Sequence, residues 1–168
     1  MDIKIRSWKM DDAETLAYMI GNKKVQDNLR ELPYPYTVLD AKEYLLSAVA
    51  ADMQKTFEWA ITADDKLVGS IGAFRKDNIH RLTAEMGYFV AEEHWGKGIV
   101  TEAVKLACSY VFENSDIVRI FAEPYAHNDA SCRVLEKAGF TYEGTMRKNA
   151  LKNGQLLDMK MYAIIREK

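Results

Sequence analysis

The stretch that most constrains the fold is Glu85 to Ala103, EMGYFVAEEHWGKGIVTEA, in which an apolar strand leads through Gly96-Lys97-Gly98 directly into a helix. Two glycines let the backbone approach a ligand without a Cβ in the way, and the unpaired N–H groups of a starting helix carry positive partial charge. Lys97 adds a cation at the helix start. This pattern predicts a strand-turn-helix unit that binds phosphate, with a diphosphate as the best fit.

The same glycines would also suit a turn that binds nothing. A plain strand-to-helix turn uses glycine only because glycine tolerates positive φ, and short glycine motifs are common. Nucleotide-binding loops are a further alternative, but the lysine and serine or threonine that complete a P-loop are missing after Gly98, and Gly87 does not complete a dinucleotide fingerprint. ATP and NAD are therefore poor candidates for the ligand.

A second polar helix start lies at Asn128 to Phe140, NDASCRVLEKAGF. Asn128 is a strong N-cap residue, and Gly139 ends the helical pattern. Two interpretations are open for Asn128 and Ser131. They face a ligand at the helix start, or Asn128 is only a cap with Ser131 as its first-turn partner.

Hydrophobic periodicity predicts the order βααβββαβαββ in one domain over residues 1–168, a mixed sheet with helices on both faces. Strands are predicted at 3–8, 57–62, 67–74, 84–91, 117–122, 140–146 and 156–165, and helices at 11–21, 37–53, 99–111 and 128–138, with a short extra helix at 24–29. Thr37 and Asp40 predict a capping box for the second helix, whose apolar stripe is expected at Leu45, Leu46 and Val49. Hairpin turns are predicted at 64–65 and 153–154.

Composition limits the partners of the chain. Its 168 residues are 48% apolar and 29% charged, as in ordinary globular domains. The balance of 23 basic against 25 acidic residues predicts binding to neither nucleic acid nor an anionic membrane. No apolar run is long enough to span a bilayer, so we expect a cytoplasmic protein. Cys108 and Cys132 are expected to be buried thiols, and the histidine spacing predicts no metal site.

The two segments together resemble motifs A and B of the GNAT N-acetyltransferases, and EHWGKGIVTEAV is similar to the pyrophosphate loop of the ribosomal-protein N-terminal acetyltransferase branch. The resemblance covers most of the chain. It implies an α/β (α+β) fold with a mostly antiparallel sheet of about seven strands, splayed at the strand before the glycine loop. Trp95 and Val100 depart from the family's loop pattern, but neither departure removes a backbone amide.

The resemblance also implies acetyl-CoA as the co-substrate and assigns its site. The loop amides would bind the pyrophosphate, and the strand before the loop would pair with the pantetheine amides as an added strand does. The implied CoA-binding residues are Tyr88, Phe89, Val90, Gly96, Lys97, Gly98, Ile99, Val100, Thr101, Asn128 and Ser131.

Three catalytic roles follow from the resemblance. Glu92 is favoured as the base, directly or through water, and the backbone N–H of Val90 as the donor to the developing oxyanion. Ser131 takes the acid role, because Leu135 occupies the position of the tyrosine that many relatives use. Glu93 and Glu85 remain alternatives for the base. Adjacent glutamates in a turn are also often merely solvated.

The implied activity is transfer of acetyl from acetyl-CoA to a primary amine, on a protein N-terminus or a small molecule. Direct attack in a ternary complex is expected, because neither cysteine lies beside a base in the sequence. The alternative is a non-catalytic acyl-CoA-binding sensor or partner domain.

The acceptor pocket is expected between the N-terminal helices, the loop at 32–36, and a C-terminal hairpin carrying Lys152, Asn153 and Asp158. The aromatic residues of that loop could equally be packing residues. The hairpin over 140–168 could also pair with a second copy, so a homodimer is a hypothesis.

Overall fold

Seven strands form one sheet in this computed structural model, which describes residues 1–167. The strands are β1 (Ile3–Ser7), β2 (Thr56–Ala63), β3 (Lys66–Arg75), β4 (Thr83–Val90), β5 (Arg119–Ala122), β6 (Thr141–Lys152) and β7 (Gln155–Ile165). Their order in the sheet is β1-β2-β3-β4-β5-β7-β6. Every neighbouring pair is antiparallel except β4 and β5. The predicted mixed, mostly antiparallel sheet is confirmed.

Helices cover both faces of the sheet, as the sequence predicts. They are α1 (Ala13–Ile20), α2 (Lys23–Gln26), α3 (Val38–Val49), α4 (Ile99–Asn114) and α5 (Asp129–Lys137). A larger core packs α4 and α5 against one face, and Cys108 and Cys132 are buried in it as expected. A smaller core packs α1 and α3 against the other face, around Trp8, Leu16 and Leu45. Within residues 1–167, no helix is both long and apolar enough to cross a membrane.

Helix α3 departs from its predicted length and stripe. Its capping box is present, since Thr37 Oγ1 accepts from Asp40 N at 3.1 Å and Asp40 Oδ2 accepts from Thr37 N at 2.8 Å. The helix ends at Val49 rather than at residue 53, and Leu46 and Val49 are exposed. The buried positions are Ala41 and Leu45, because one edge of this short helix packs against α1 in the smaller core and positions four apart share that edge.

The sheet opens between β4 and β5. Only Thr83–Glu85 pairs with Arg119–Phe121, whereas on its other side β4 pairs with β3 as far as Val90. Ala91 N donates to Val68 O at 2.9 Å, so by the alternation of antiparallel pairs the N–H and C=O of Val90 point away from β3, into the opening. The far half of β4 therefore offers an edge on which an extended ligand could pair.

Candidate functional site

A cavity of about 390 Å³ lies where the sheet opens. Its walls come from the far half of β4, the glycine loop, the start of α4, one side of α5, and a segment at α2 formed by Val25, Asn28 and Leu29. All of the residues that the sequence predicts to bind CoA line this one cavity. The fold thus brings together two motifs that the chain separates by about 30 residues.

The glycine loop leads into α4 with its backbone donors exposed. Gly96 has φ +74° and Gly98 has φ +77°, values that side-chain-bearing residues seldom adopt. Gly98 is the N-cap of α4, and no described side chain caps this helix. The first intrahelical bond in this turn runs from Glu102 N to Gly98 O, so the three preceding N–H groups are left without intrahelical acceptors. A Cβ built at either glycine would meet nothing within 4 Å, so both face open space.

Three exposed cations line the same cavity: Lys97 in the loop, and Arg133 and Lys137 on α5. Sequence reasoning missed the two on α5. Their spacing of four places them on one helical face, a signal that could have identified them. With the α4 amides, they make this end of the cavity electropositive.

Two hydroxyl groups meet at the interior end. Tyr88 Oη lies 2.7 Å from Ser131 Oγ, and both residues are partly buried and line the cavity. Asn128 Oδ1 accepts from Ser131 N at 3.1 Å, so Asn128 caps α5 and also lines the cavity. Both interpretations of Asn128 therefore hold geometrically. Burial raises the pKa of Tyr88 to about 12, so its phenol is protonated near neutral pH.

Trp95, at a position that departs from the family pattern, contacts the opening directly. Its indole Nε1 donates to the carbonyl of Val90 at 3.0 Å, and its side chain lines the cavity. This bond uses the Val90 carbonyl, whereas the Val90 N–H has no partner among the described hydrogen bonds of the loops and side chains.

Leu135 lies away from the cavity. Its side chain is fully buried in the larger core and is not among the residues that line the cavity. The phenol beside Ser131 comes from β4 instead, a partnership between residues 43 positions apart that sequence reasoning did not identify.

Glu92 faces a different cavity. Its carboxylate accepts from Lys24 Nζ at 2.8 Å and from Asn22 Nδ2 at 2.7 Å, and these bonds lower its pKa. Glu92 and Glu93 line a separate cavity of about 340 Å³ beside α1. Glu85, on β4, pairs with Lys76 at 3.1 Å and lines neither cavity. The structure therefore does not bring a predicted base into the cavity that Ser131 lines.

The side chain of Lys152 is not free to contact the amine substrate. It is 5% exposed, and its Nζ donates to the carbonyls of Gln26, Leu29 and Arg30 at 2.8–2.9 Å. The expected role in contacting an acceptor directly is corrected, because all three ammonium protons are used. Lys152 instead fixes the segment after α2 that walls the cavity.

The loop at 32–36 lines neither cavity. Leu32 and Tyr36 pack against the smaller core, and Tyr34 is exposed. Within residues 1–167, no group of three or more His, Cys, Asp or Glu side chains is arranged to hold a metal ion.

Comparison with known proteins identifies relatives of this chain. The sequence model of one family, described as acetyltransferase (GNAT) domain, matches residues 2–141. Probable N-acetyltransferase YjcK of Bacillus subtilis (strain 168) is 44% identical over 103 residues, 61% of this chain and 57% of the relative. Spermidine N(1)-acetyltransferase of Vibrio cholerae is 27% identical over 166 residues, 99% of this chain and 94% of the relative. The chain covers less than two thirds of the length of the first relatives that it matches.

Solved structures share the fold. A probable acetyltransferase superposes with a TM-score of 0.86 at 30% identity, covering 98% of this chain and 93% of the other. RimL, a ribosomal L7/L12 α-N-protein acetyltransferase solved in complex with coenzyme A, superposes with a TM-score of 0.88 at 21% identity, covering 97% and 93%. At 21% identity, the similarity to RimL shows only a shared fold.

Proposed function

The chain belongs to the acetyltransferase (GNAT) family, and on this premise we propose that it transfers the acetyl group of acetyl-CoA to a primary amine. One observation carries the proposal. A single cavity combines an unpaired strand edge, a helix start with free amides, and three cations. These features suit the extended pantetheine arm and the phosphates of one CoA molecule.

The residues that line the cavity indicate how acetyl-CoA would be oriented in it. The amides of residues 96–101, with Lys97, Arg133 and Lys137, would hold the phosphates at the exposed end. The edge at Tyr88–Val90 would pair with the pantetheine, which places the thioester near Ser131. No metal is proposed.

The chemistry is direct attack in a ternary complex. The neutral amine attacks the thioester carbonyl, the Val90 N–H donates to the oxyanion, and the Ser131 hydroxyl donates to the departing sulfur. A covalent acyl-cysteine is disfavoured, because both cysteines are buried and burial raises the pKa of Cys108 to about 12.

Glu92 is our proposed base, acting through water. Its pKa is lowered by Lys24 and Asn22, which makes it a weak base. Such a base suits a protein N-terminus, whose amine has a pKa of about 7.7–8.0, better than a lysine-type amine at about 10.4. Glu93 and Glu85 are the alternatives.

The acceptor is a protein N-terminus or a small amine. A Vibrio cholerae relative is named for spermidine, and a structural relative is named for a ribosomal protein. These names support both acceptor classes.

A non-catalytic acyl-CoA sensor is the second candidate. It is favoured by one observation: the carboxylate of Glu92 is ion-paired outside the cavity that Ser131 lines. On this alternative, the CoA-binding half is complete and the catalytic half is not.

The deciding experiment measures thiol release from acetyl-CoA with N-terminal peptides, polyamines and aminoglycosides, and CoA binding by calorimetry on the same sample. Turnover with one class supports the enzyme and identifies its acceptor. Tight CoA binding without turnover supports the sensor. Failure to bind CoA would overturn the site itself.

A homodimer and a cytoplasmic location complete the proposal. Strand β6 forms an edge of the sheet, on which a second copy could pair. Sedimentation velocity that shows only monomer at high concentration would exclude the dimer, and cell fractionation tests the location.

A further inference from the structure

The hydroxyl of Tyr88 contacts Ser131, the residue that we propose to donate a hydrogen bond to the departing sulfur. Its Oη lies 2.7 Å from Ser131 Oγ and 3.5 Å from the Ser131 carbonyl oxygen. The two residues reach this contact from different elements that line the cavity, Tyr88 from β4 and Ser131 from the first turn of α5.

Ser131 is held at two points. Its backbone N–H donates to the Asn128 cap at 3.1 Å, and its hydroxyl contacts Tyr88. The ring of Tyr88 packs against the larger core, which fixes the phenol in place. Burial raises the pKa of Tyr88 to about 12, so the phenol keeps its proton across the physiological range.

We infer that Tyr88 is a positioning residue for acetyl transfer: its phenol donates to Ser131 Oγ and thereby directs the Ser131 proton toward the departing sulfur. This inference rests on the proposed function. Either hydroxyl of the free pair can donate. A sulfur acceptor beside Ser131 selects the order Tyr88 to Ser131 to sulfur, because successive donors in a hydrogen-bond chain strengthen one another.

The step balances without a further reactant. The bond from nitrogen to the acetyl carbon forms and the bond from that carbon to sulfur breaks, with the sulfur leaving as a thiolate hydrogen-bonded by Ser131. The amine gives up one proton to the base or to water, and the thiolate gains one on release. Tyr88 and Ser131 keep their own protons, since they only donate hydrogen bonds.

Titration of bound CoA tests the pair without needing an acceptor. The thiol of CoA is followed by the ultraviolet absorbance of its thiolate in the wild type, Tyr88→Phe and Ser131→Ala. Donation of a hydrogen bond to the thiolate lowers the pKa of a thiol. We expect the pKa of the bound thiol to be higher in both variants than in the wild type, by about half a unit.

Values of kcat and KM then distinguish a positioning role of Tyr88 from a purely structural one. We expect Tyr88→Phe to lower kcat about 3- to 10-fold, the size of one hydrogen bond, without changing the KM for acetyl-CoA. Ser131→Ala should lower kcat about 100-fold, and adding Tyr88→Phe to it should cost nothing more.

Tyr142→Phe is the matched control, because Tyr142 Oη pairs with Thr145 Oγ1 at 2.6 Å on the exposed hairpin, outside the cavity. It should leave kcat and the thiol titration unchanged.

Two results would overturn the inference while leaving the proposed function intact. One is an equal pKa of the bound thiol in the wild type and Tyr88→Phe. The other is an equal loss of kcat when Tyr88→Phe is added to the wild type and to Ser131→Ala. If CoA binds but no amine is acetylated, the thiol titration alone decides. Failure of the wild type to bind CoA would overturn the proposed function, and this inference with it.

Discussion

The two halves of the site are built differently. The donor half consists of the β4 edge at Tyr88–Val90, the glycine loop at 96–101, and the start of α5, and much of its binding capacity is backbone N–H groups and glycine conformation. The other half, the segment 22–30 with Glu92 and Lys152, is held in place by side-chain contacts between distant positions. Its Lys152 contact spans 126 residues of chain. Local backbone geometry therefore defines one half, and tertiary contacts define the other.

The largest expected effect is on the donor half, in Gly98→Val. A β-branched residue is strained at φ +77°, and its side chain would project into the space that we assign to the phosphates. Loss of two amide-to-phosphate bonds should weaken CoA binding about 100-fold or more, measured by calorimetry.

The variant Gly154→Val distinguishes the effect of backbone strain on stability from a direct effect on CoA binding. Gly154 has φ +74° and similarly open surroundings, but it lies in the β6–β7 turn. It should lose stability without losing CoA affinity. Equal loss of affinity in the two variants would mean that the glycine loop has no special role.

In the half that tertiary contacts define, Lys152→Met should cost stability. Three carbonyls lose their shared donor, but the carbonyl of Gln26 keeps the N–H of Leu29 and the carbonyl of Leu29 keeps the Tyr125 hydroxyl. The main cost is therefore the loss of hydrogen bonds to a charged donor, at about 1.5–3 kcal/mol for such a bond. We expect the free energy of unfolding to fall by about 1–3 kcal/mol in urea titration.

Lys66→Met, at an exposed position, is the control and should change the unfolding free energy by less than about 0.5 kcal/mol. If Lys152→Met behaves like this control, the wall formed by the segment 22–30 does not depend on the hairpin.

The smallest effect is expected from Lys24→Met, which removes one partner of Glu92. Lys24 lowers the pKa of Glu92, so its loss should raise that pKa. The acidic side of the kcat/KM profile with an N-terminal peptide carries two pKa values, an upper one from the amine at about 7.7–8.0 and a lower one from Glu92, which acts as the ionised form. In Lys24→Met the lower of these two pKa values should rise, and in Lys23→Met, which breaks the neighbouring Lys23–Asp27 pair, it should not change. A lower pKa that is the same in Lys24→Met and the wild type would contradict the assignment of Glu92 as the base.

The donor half could be predicted from sequence because its signals are local. Gly96, Gly98 and Asn128 each require a specific backbone conformation, and that requirement can be recognised within a few residues. Strand alternation and the Asn153-Gly154 turn likewise predicted the sheet and its last hairpin. The family and the fold are confirmed, whereas the roles of Val90, Glu92 and Ser131 stay predictions.

The rest depends on tertiary contacts. No local pattern shows that Tyr88 meets Ser131, or that Lys24 holds Glu92 68 positions away. Lys152 reads as a surface lysine in a hairpin, yet the fold buries it against three carbonyls. The stripe on α3 was wrong for a related reason, because the smaller core covers only the edge that includes Ala41 and Leu45.

The most direct test of the central claim is amide hydrogen exchange with and without CoA. If CoA occupies the opening beside β4, exchange at residues 88–90 and 96–101 should slow, while residues 150–156 at the hairpin tip stay unchanged. Slowing at residues 17–22 and 92–93 around the second cavity, with none at 96–101, would contradict the account.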